Sequence, residues 1–291
     1  RWTFGDVTVD RVVEFERPLL APSVLLPAST PASIAAHRGW LEPRLLDPVS
    51  GLLILSFHTF VVRTRHHTIL VDTGGGNDKP RPQKPRYHQS RWPYLERLAA
   101  VGVAPEAVDF VVCTHLHVDH VGWNTRLVGG RWVPTFPRAT YLFARAEWEF
   151  WREEYKRPQF TDDPYYEDSI LPVLDAGQAM LVEADHVIDG AVRLDPTAGH
   201  TPGHISVVVS GGGRQAVMSG DLMHHPVQCA EPDWSSCFCV DPEASRRMRR
   251  AFLERYAETD TLIMPAHFPG PSAGRIVRAG GAWRFVFDDA A

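Results

Sequence analysis

Several things are scarce in this chain of 291 residues, and each scarcity removes a class of protein. Four cysteines are too few to staple a fold of this length. Cys237-x-Cys239 lacks the two-residue spacing of a zinc knuckle and has no second pair beside it. Cys229, Cys237 and Cys239 therefore read as free thiols in a loop, with a bridge left open for an oxidising compartment. Cys113, in an apolar run, reads as a small buried hydrophobe. An excess of positive charge is also missing: 30 Lys and Arg stand against 35 Asp and Glu. That balance argues against a nucleic-acid backbone as partner. Long apolar runs are absent too. The most apolar stretch, Gly51 to Val62, is interrupted by Ser56, His58 and Thr59, so no membrane span is expected. Internal repeats and low-complexity tracts are lacking. The expected setting is the cytoplasm, and a chain opening on Arg1 leaves a periplasmic or secreted one open.

What is present points to a globular chain with a large core. It is 44% hydrophobic and 22% charged. Fourteen histidines, with 9 Trp and 14 Phe, suit a metal enzyme with an apolar pocket. Residues 1–50 carry a strand, Val7 to Phe15, then repeated prolines with one short helix near Ala32 to Trp40, and read as an extended wrapping segment. A hairpin is predicted over Gly51–Thr64 and Thr68–Asp72, with strands at Val108–Cys113 and Thr140–Ala144. Helices are predicted over Arg91–Val101 and Arg145–Tyr155. Lys156–Asp175 reads as a surface excursion. Strands follow at Met180–Ala184, Ala191–Asp195, Ile205–Ser210 and Ala216–Ser219, then a helix over Glu243–Tyr256, a strand over Thr261–Pro265 and a terminal hairpin over Arg275–Phe287. No linker signal divides the chain, so residues 1–291 are expected to form one domain with sheets inside and helices outside.

One segment concentrates chemistry. His115, His117, Asp119 and His120 stand within six residues, just past the strand that ends near Thr114. Four ligand types so close together are rare by chance. In an extended backbone His115, His117 and Asp119 share a parity and converge, while His120 breaks it and can serve a second metal. Three further islands follow strands at turn or small residues: Gly199-His200, Gly220-Asp221 and Ala266-His267. Strand ends that each deliver one ligand type are how a scaffold aims several loops at one locus.

This motif set, His-x-His-x-Asp-His followed by His, Asp and His, resembles the metallo-β-lactamase superfamily. The resemblance implies an α/β (α+β) fold: a four-layer αββα sandwich of two mixed β-sheets flanked by helices. It implies metal 1 on His115, His117 and His200, metal 2 on Asp119, His120 and His267, and Asp221 bridging both. Zn2+ is the expected pair of ions, with Fe, Mn or Co also suited to imidazole and carboxylate. Two such cations share a hydroxide that serves as nucleophile, and Asp119 orients it or takes its proton.

Departures narrow the branch. His117 is not the Glu that resembles flavodiiron oxidoreductases, and His120 and Asp221 differ from the best-known zinc β-lactamases. What remains resembles quorum-quenching lactonases and methyl-parathion-type hydrolases. Those lactonases often place a Tyr three residues after the bridging Asp; here His224 stands there, and either its N–H donates to an oxyanion or the ring simply lines the pocket or the surface. By the same resemblance Asp72 orients a ligand histidine, against a plain turn-forming role, and His204 is a supporting or simply buried histidine. Trp123, Trp234 and Phe238 are the pocket candidates; Trp148, Phe150, Trp151 and Phe160 are candidates for which core packing is the stronger reading. The expected function is a binuclear metal hydrolase of a carboxylic ester or lactone, with a small, apolar substrate and a homodimer as one arrangement open to it. Phosphotriester hydrolysis, an iron-dependent oxidoreductase or dioxygenase, and a non-catalytic scaffold are the alternatives.

Overall fold

The computed structural model describes residues 1–157 and 163–288. The chain begins with strands β1 (Trp2–Phe4) and β2 (Val7–Leu20), helices α1 (Pro22–Leu25) and α2 (Pro31–Leu41), and strands β3 (Leu53–Arg63) and β4 (Thr68–Val71). Helix α3 (Tyr94–Ala100), strand β5 (Phe110–Val112), the pair β6 (Thr125–Val128) and β7 (Arg131–Pro134), and strand β8 (Thr140–Ala144) come next. Helices α4 (Arg145–Glu154), α5 (Tyr165–Ser169) and α6 (Leu171–Asp175) precede strand β9 (Ala179–Val182). The remainder is β10 (Val187–Asp189), β11 (Val192–Pro196), β12 (Ile205–Gly211), β13 (Arg214–Gly220), α7 (Val227–Ala230), α8 (Pro242–Tyr256), β14 (Leu262–Pro265), β15 (Gly274–Ala279) and β16 (Ala282–Phe287). The class is mixed α/β, with two seven-stranded mixed sheets and the small pair β6–β7. No helix among the described residues is long and apolar enough to cross a membrane.

The chain divides into two compact units: Arg1–Phe15 with Phe57–His186, and Glu16–Ser56 with Val187 onward. In the first, β4, β5, β8 and β9 run parallel. Parallel strands covered on both faces need continuous apolar runs. Ile69 to Val71, Val111, Val112 and Tyr141 to Phe143 are accordingly all buried. The register Val71↔Val112 brings the residue after β4, Asp72, level with the residues leaving β5.

In the second unit β11, β12 and β13 form an antiparallel meander, and β13 then pairs in parallel with β14. The partners Gly220 and Pro265 close that pairing, so Asp221 and His267 leave adjacent strand ends. Helix α8 begins on Asp241, whose carboxylate accepts from the N–H groups of Glu243 and Ala244, with Pro242 at the first helical position. Its buried positions Ser245, Arg249, Phe252, Leu253 and Tyr256 recur at helical spacing. Phe252, Leu253 and Tyr256 join Val208, Val217, Ile263, Phe268 and Ile276 in one core cluster.

Lys156–Asp175 is not the surface excursion expected of it. Its described part holds α5 and α6, with Tyr165, Ile170 and Val173 buried. Its polarity misleads because Asp168 is buried against Arg81 and Lys79, so a charge occupies a core position. Residues 1–50, expected to be an extended wrapping segment, carry β1, β2, α1 and α2.

Candidate metal centre

The first unit supplies one cluster. The His115–His120 run is a turn rather than an extended strand, since the His120 N–H donates to the His117 carbonyl at 3.1 Å. The turn cancels the parity argument: His120 and His115 have ring centres 4.1 Å apart, and His115 and His117 4.6 Å. Asp72 organises the group. It accepts from the Thr114 backbone N–H at 2.8 Å and from the Thr114 hydroxyl at 2.9 Å, and its Oδ2 lies 2.9 Å from His120 Nδ1. Because the Thr114 hydroxyl donates to Asp72, it accepts at 3.1 Å from His115 Nδ1–H. These partners assign the proton of both rings to Nδ1 and leave Nε2 as the lone-pair nitrogen. His115 Nε2 faces His117 Nδ1 at 3.0 Å, and His120 Nε2 lies 4.0 Å from Asp119 Oδ1. On α4, Glu147 is buried; it accepts from the Leu116 backbone N–H and from the Trp151 indole, and the Trp151 ring packs edge-on 5.2 Å from His117.

The second unit supplies another. Asp221 Oδ1 lies 3.0 Å from His267 Nε2, and its Oδ2 lies 3.4 Å from His200 Nε2 and 3.2 Å from His224 Nε2. His267 Nδ1–H donates to the Ser56 carbonyl at 3.0 Å. His200 Nδ1 lies 3.4 Å from the Cys239 sulfur, which itself donates to the Ser245 hydroxyl. Both rings thus turn a lone-pair Nε2 toward a carboxylate. Lone pairs facing a carboxylate at such distances repel unless a cation lies among them, so this donor set fits a divalent metal. His204 is the support: its Nε2 accepts the Asp221 backbone N–H at 3.0 Å while Nδ1 bonds Thr197. Gly199 sets the approach, because a Cβ there would lie 2.7 Å from the Ser245 backbone nitrogen.

The structure brings Asp72, His115, His117, Asp119 and His120 together in the first unit, and His200, His204, Asp221, His224 and His267 in the second. Among the aromatic candidates, Phe238 has its ring 6.2 Å from His224 and is 40% exposed. Trp123 stacks on Tyr94 and donates to Glu14, and Trp234 stands edge-on to His37. Trp148 stacks on Tyr166, and Phe150 packs on Trp151; Phe160 lies outside the described residues. All four cysteines are free. Three residues absent from the expected site set lie in it, Thr114, Glu147 and Tyr87, whose hydroxyl donates to Asp119 Oδ2 at 3.1 Å, and Cys239, expected as a free loop thiol, lies against His200. Thr114 alone carried a signal, as the residue leaving the strand beside the motif.

Comparison with known proteins bears on the whole pattern. N-acyl homoserine lactonase AttM of Rhizobium radiobacter is 29% identical over 238 residues, 70% of this chain and 78% of that protein. An N-acyl homoserine lactonase of Bacillus cereus is 32% identical over 114 residues, and the chain covers 37% of that relative's length, as it does for one from Bacillus sp. Among solved structures, hydrolase AbOPH of the beta lactamase superfamily superposes with a TM-score of 0.80 at 26% identity, over 99% of this chain and 97% of that one. The dizinc quorum-quenching lactonase AidC has the same fold, with a TM-score of 0.75 at 18% identity over 99% of this chain and 96% of that one. The model of the metallo-beta-lactamase superfamily matches residues 58–276, and the chain belongs to that superfamily.

Proposed function

We propose that the protein is a binuclear metal-dependent hydrolase that cleaves a carboxylic ester or lactone of a small molecule. The observation that carries this is the aligned set of imidazoles: His115, His120, His200 and His267 each commit Nδ1 to an acceptor and present Nε2 toward carboxylates or neighbouring rings. In this reading His115, His117 and His200 would hold one ion and Asp119, His120 and His267 the other, with Asp221 as a further carboxylate ligand. Family membership and the lactonase relatives support it. Zn2+ suits this imidazole-carboxylate set, as do Fe, Mn and Co. Two bound cations would lower the pKa of a water toward about 7 and polarise the substrate carbonyl.

The chain's own groups do the rest. Asp119 takes the water's proton and passes it to the departing alkoxide oxygen, so ester and water become acid and alcohol. His224 donates to the carbonyl oxygen as it becomes an oxyanion. Phe238, exposed beside His224, walls the acyl side of the substrate. Asp72 and His204 keep the ligands oriented.

The test is metal analysis joined to a substrate screen on the wild type and Asp221→Ala. Two ions per chain with lactone or ester turnover are expected, and Asp221→Ala should lose one ion and at least ~1000-fold in kcat while staying folded. Parent-level turnover by the variant sinks the two-ion reading. Activity confined to phosphotriesters, or oxygen uptake without hydrolysis, overturns the substrate class.

A further inference from the structure

We propose that Tyr87 is a positioning residue that holds Asp119 by one oxygen and so keeps it a one-oxygen ligand and proton acceptor. The proposal rests on the two-ion reading above and concerns only the first unit. Tyr87 is 3% exposed and donates its hydroxyl to Asp119 Oδ2 at 3.1 Å. The other oxygen, Oδ1, is the one that lies 4.0 Å from His120 Nε2. The phenol therefore holds one of the two oxygens. One is held by a neutral donor, and the other is directed toward the histidine expected to share its ion. A carboxylate held at Oδ2 is biased toward meeting a cation through Oδ1 alone, and its orientation is defined by that one bond.

The tyrosine arrives there on a loop without regular secondary structure, yet one that is tied at several points. Asn77 exchanges two hydrogen bonds with Trp92, the Gln89 N–H donates to the Lys79 carbonyl, and Arg81 forms a buried two-pronged pair with Asp168. The ring itself packs against Phe15 and Phe57. Gly75 leaves room for it: a Cβ on Gly75 would come 2.8 Å from the Tyr87 ring. These ties hold the loop that delivers one hydroxyl to one carboxylate oxygen.

The experiment compares wild type, Tyr87→Phe and Gly75→Ala. Phenylalanine keeps the ring and removes only the hydroxyl. Alanine at 75 keeps the hydroxyl and pushes the ring. Zn2+ affinity is read by chelator competition, and the Co2+-substituted forms are compared by visible absorption. Tyr87→Phe is expected to bind the weaker of two ions about tenfold less tightly and to shift the Co2+ bands. Gly75→Ala should change both in the same direction, which covers the case in which the first variant fails to fold. In an Asp119→Asn background the effect of Tyr87→Phe should vanish, as it must if the tyrosine acts through that carboxylate. Two ions bound with unchanged affinity and spectrum in both variants overturn the role of Tyr87 and leave the two-ion reading standing, as does an effect that persists with Asn at 119. A wild type that binds fewer than two ions instead overturns the reading on which the proposal rests.

Discussion

Asp72 lies in the left-handed backbone region, with φ of 58°, where most side chains other than glycine are strained. Aspartate tolerates that region better than most residues, and here the conformation turns the carboxylate back onto the strand beside it. One side chain then sets two histidines, His120 directly and His115 through the Thr114 hydroxyl. The geometry goes beyond what a turn-forming aspartate needs, because three donors converge on its two oxygens. Asp72→Asn replaces an acceptor by an amide whose NH2 must face a donor, the Thr114 backbone N–H in one orientation or the Thr114 hydroxyl and His120 Nδ1–H in the other, so the arrangement that orients the two rings is disturbed either way. Metal affinity should fall about ten- to hundredfold while the far-ultraviolet dichroism stays that of the wild type. Chelator competition measures this, and an unchanged affinity would show that the rings are oriented without Asp72.

At the scale of elements, α5 depends on a charge that its own sequence makes look exposed. Asp168 accepts from Arg81 at 2.6 and 2.8 Å, and its backbone carbonyl accepts from Lys79 Nζ at 2.9 Å. Both cations are fully buried, and burial pushes the Lys79 ammonium down to about 7 against the pull of Asp168. Asp168→Ala strips the carboxylate from both, which in buried pairs costs about 3 kcal/mol. Urea unfolding should show that loss; a change under about 1 kcal/mol would mean the network relaxes without it. The same buried charges explain which elements were legible in the sequence. Strands such as β8 and β12 announce themselves by continuous apolar runs, and α8 by its spacing. Helix α5 did not, because the paired aspartate Asp168 in the core breaks the apolar period, and α6 is a single five-residue turn opening on Leu171-Pro172, too short to show one. The β6–β7 hairpin was passed over because Leu127 and Val128 face solvent. Its two-glycine turn, Gly129 and Gly130 both at positive φ, was the readable signal. The site divides in the same way. His-x-His-x-Asp-His is local and visible, whereas Thr114, Tyr87, Glu147 and Cys239 act only through partners that the fold supplies.

Over the whole molecule, two buried titrating groups act on stability in opposite directions. Burial raises the Glu14 carboxyl from 4.5 to about 7, only partly offset by the N–H groups of Gly75 and Gly76 and the Trp123 indole. Its contribution is therefore fully present below pH 4.5 and is lost as pH rises to about 7. Burial lowers the His225 imidazole from 6.5 to about 4, opposed by its bond to the Leu45 carbonyl. Its contribution is fully present above pH 6.5 and is lost as pH falls to about 4. Each amounts to about 3 kcal/mol across its window. Between pH 4.5 and 6.5 the two slopes cancel, so these groups leave the wild type flat there. Removing one exposes the other: Glu14→Gln should make stability rise with pH over that interval, and His225→Asn should make it fall. Urea unfolding at half-unit steps of pH separates the two profiles, and parallel curves for both variants and the wild type would mean that neither group titrates from a buried state.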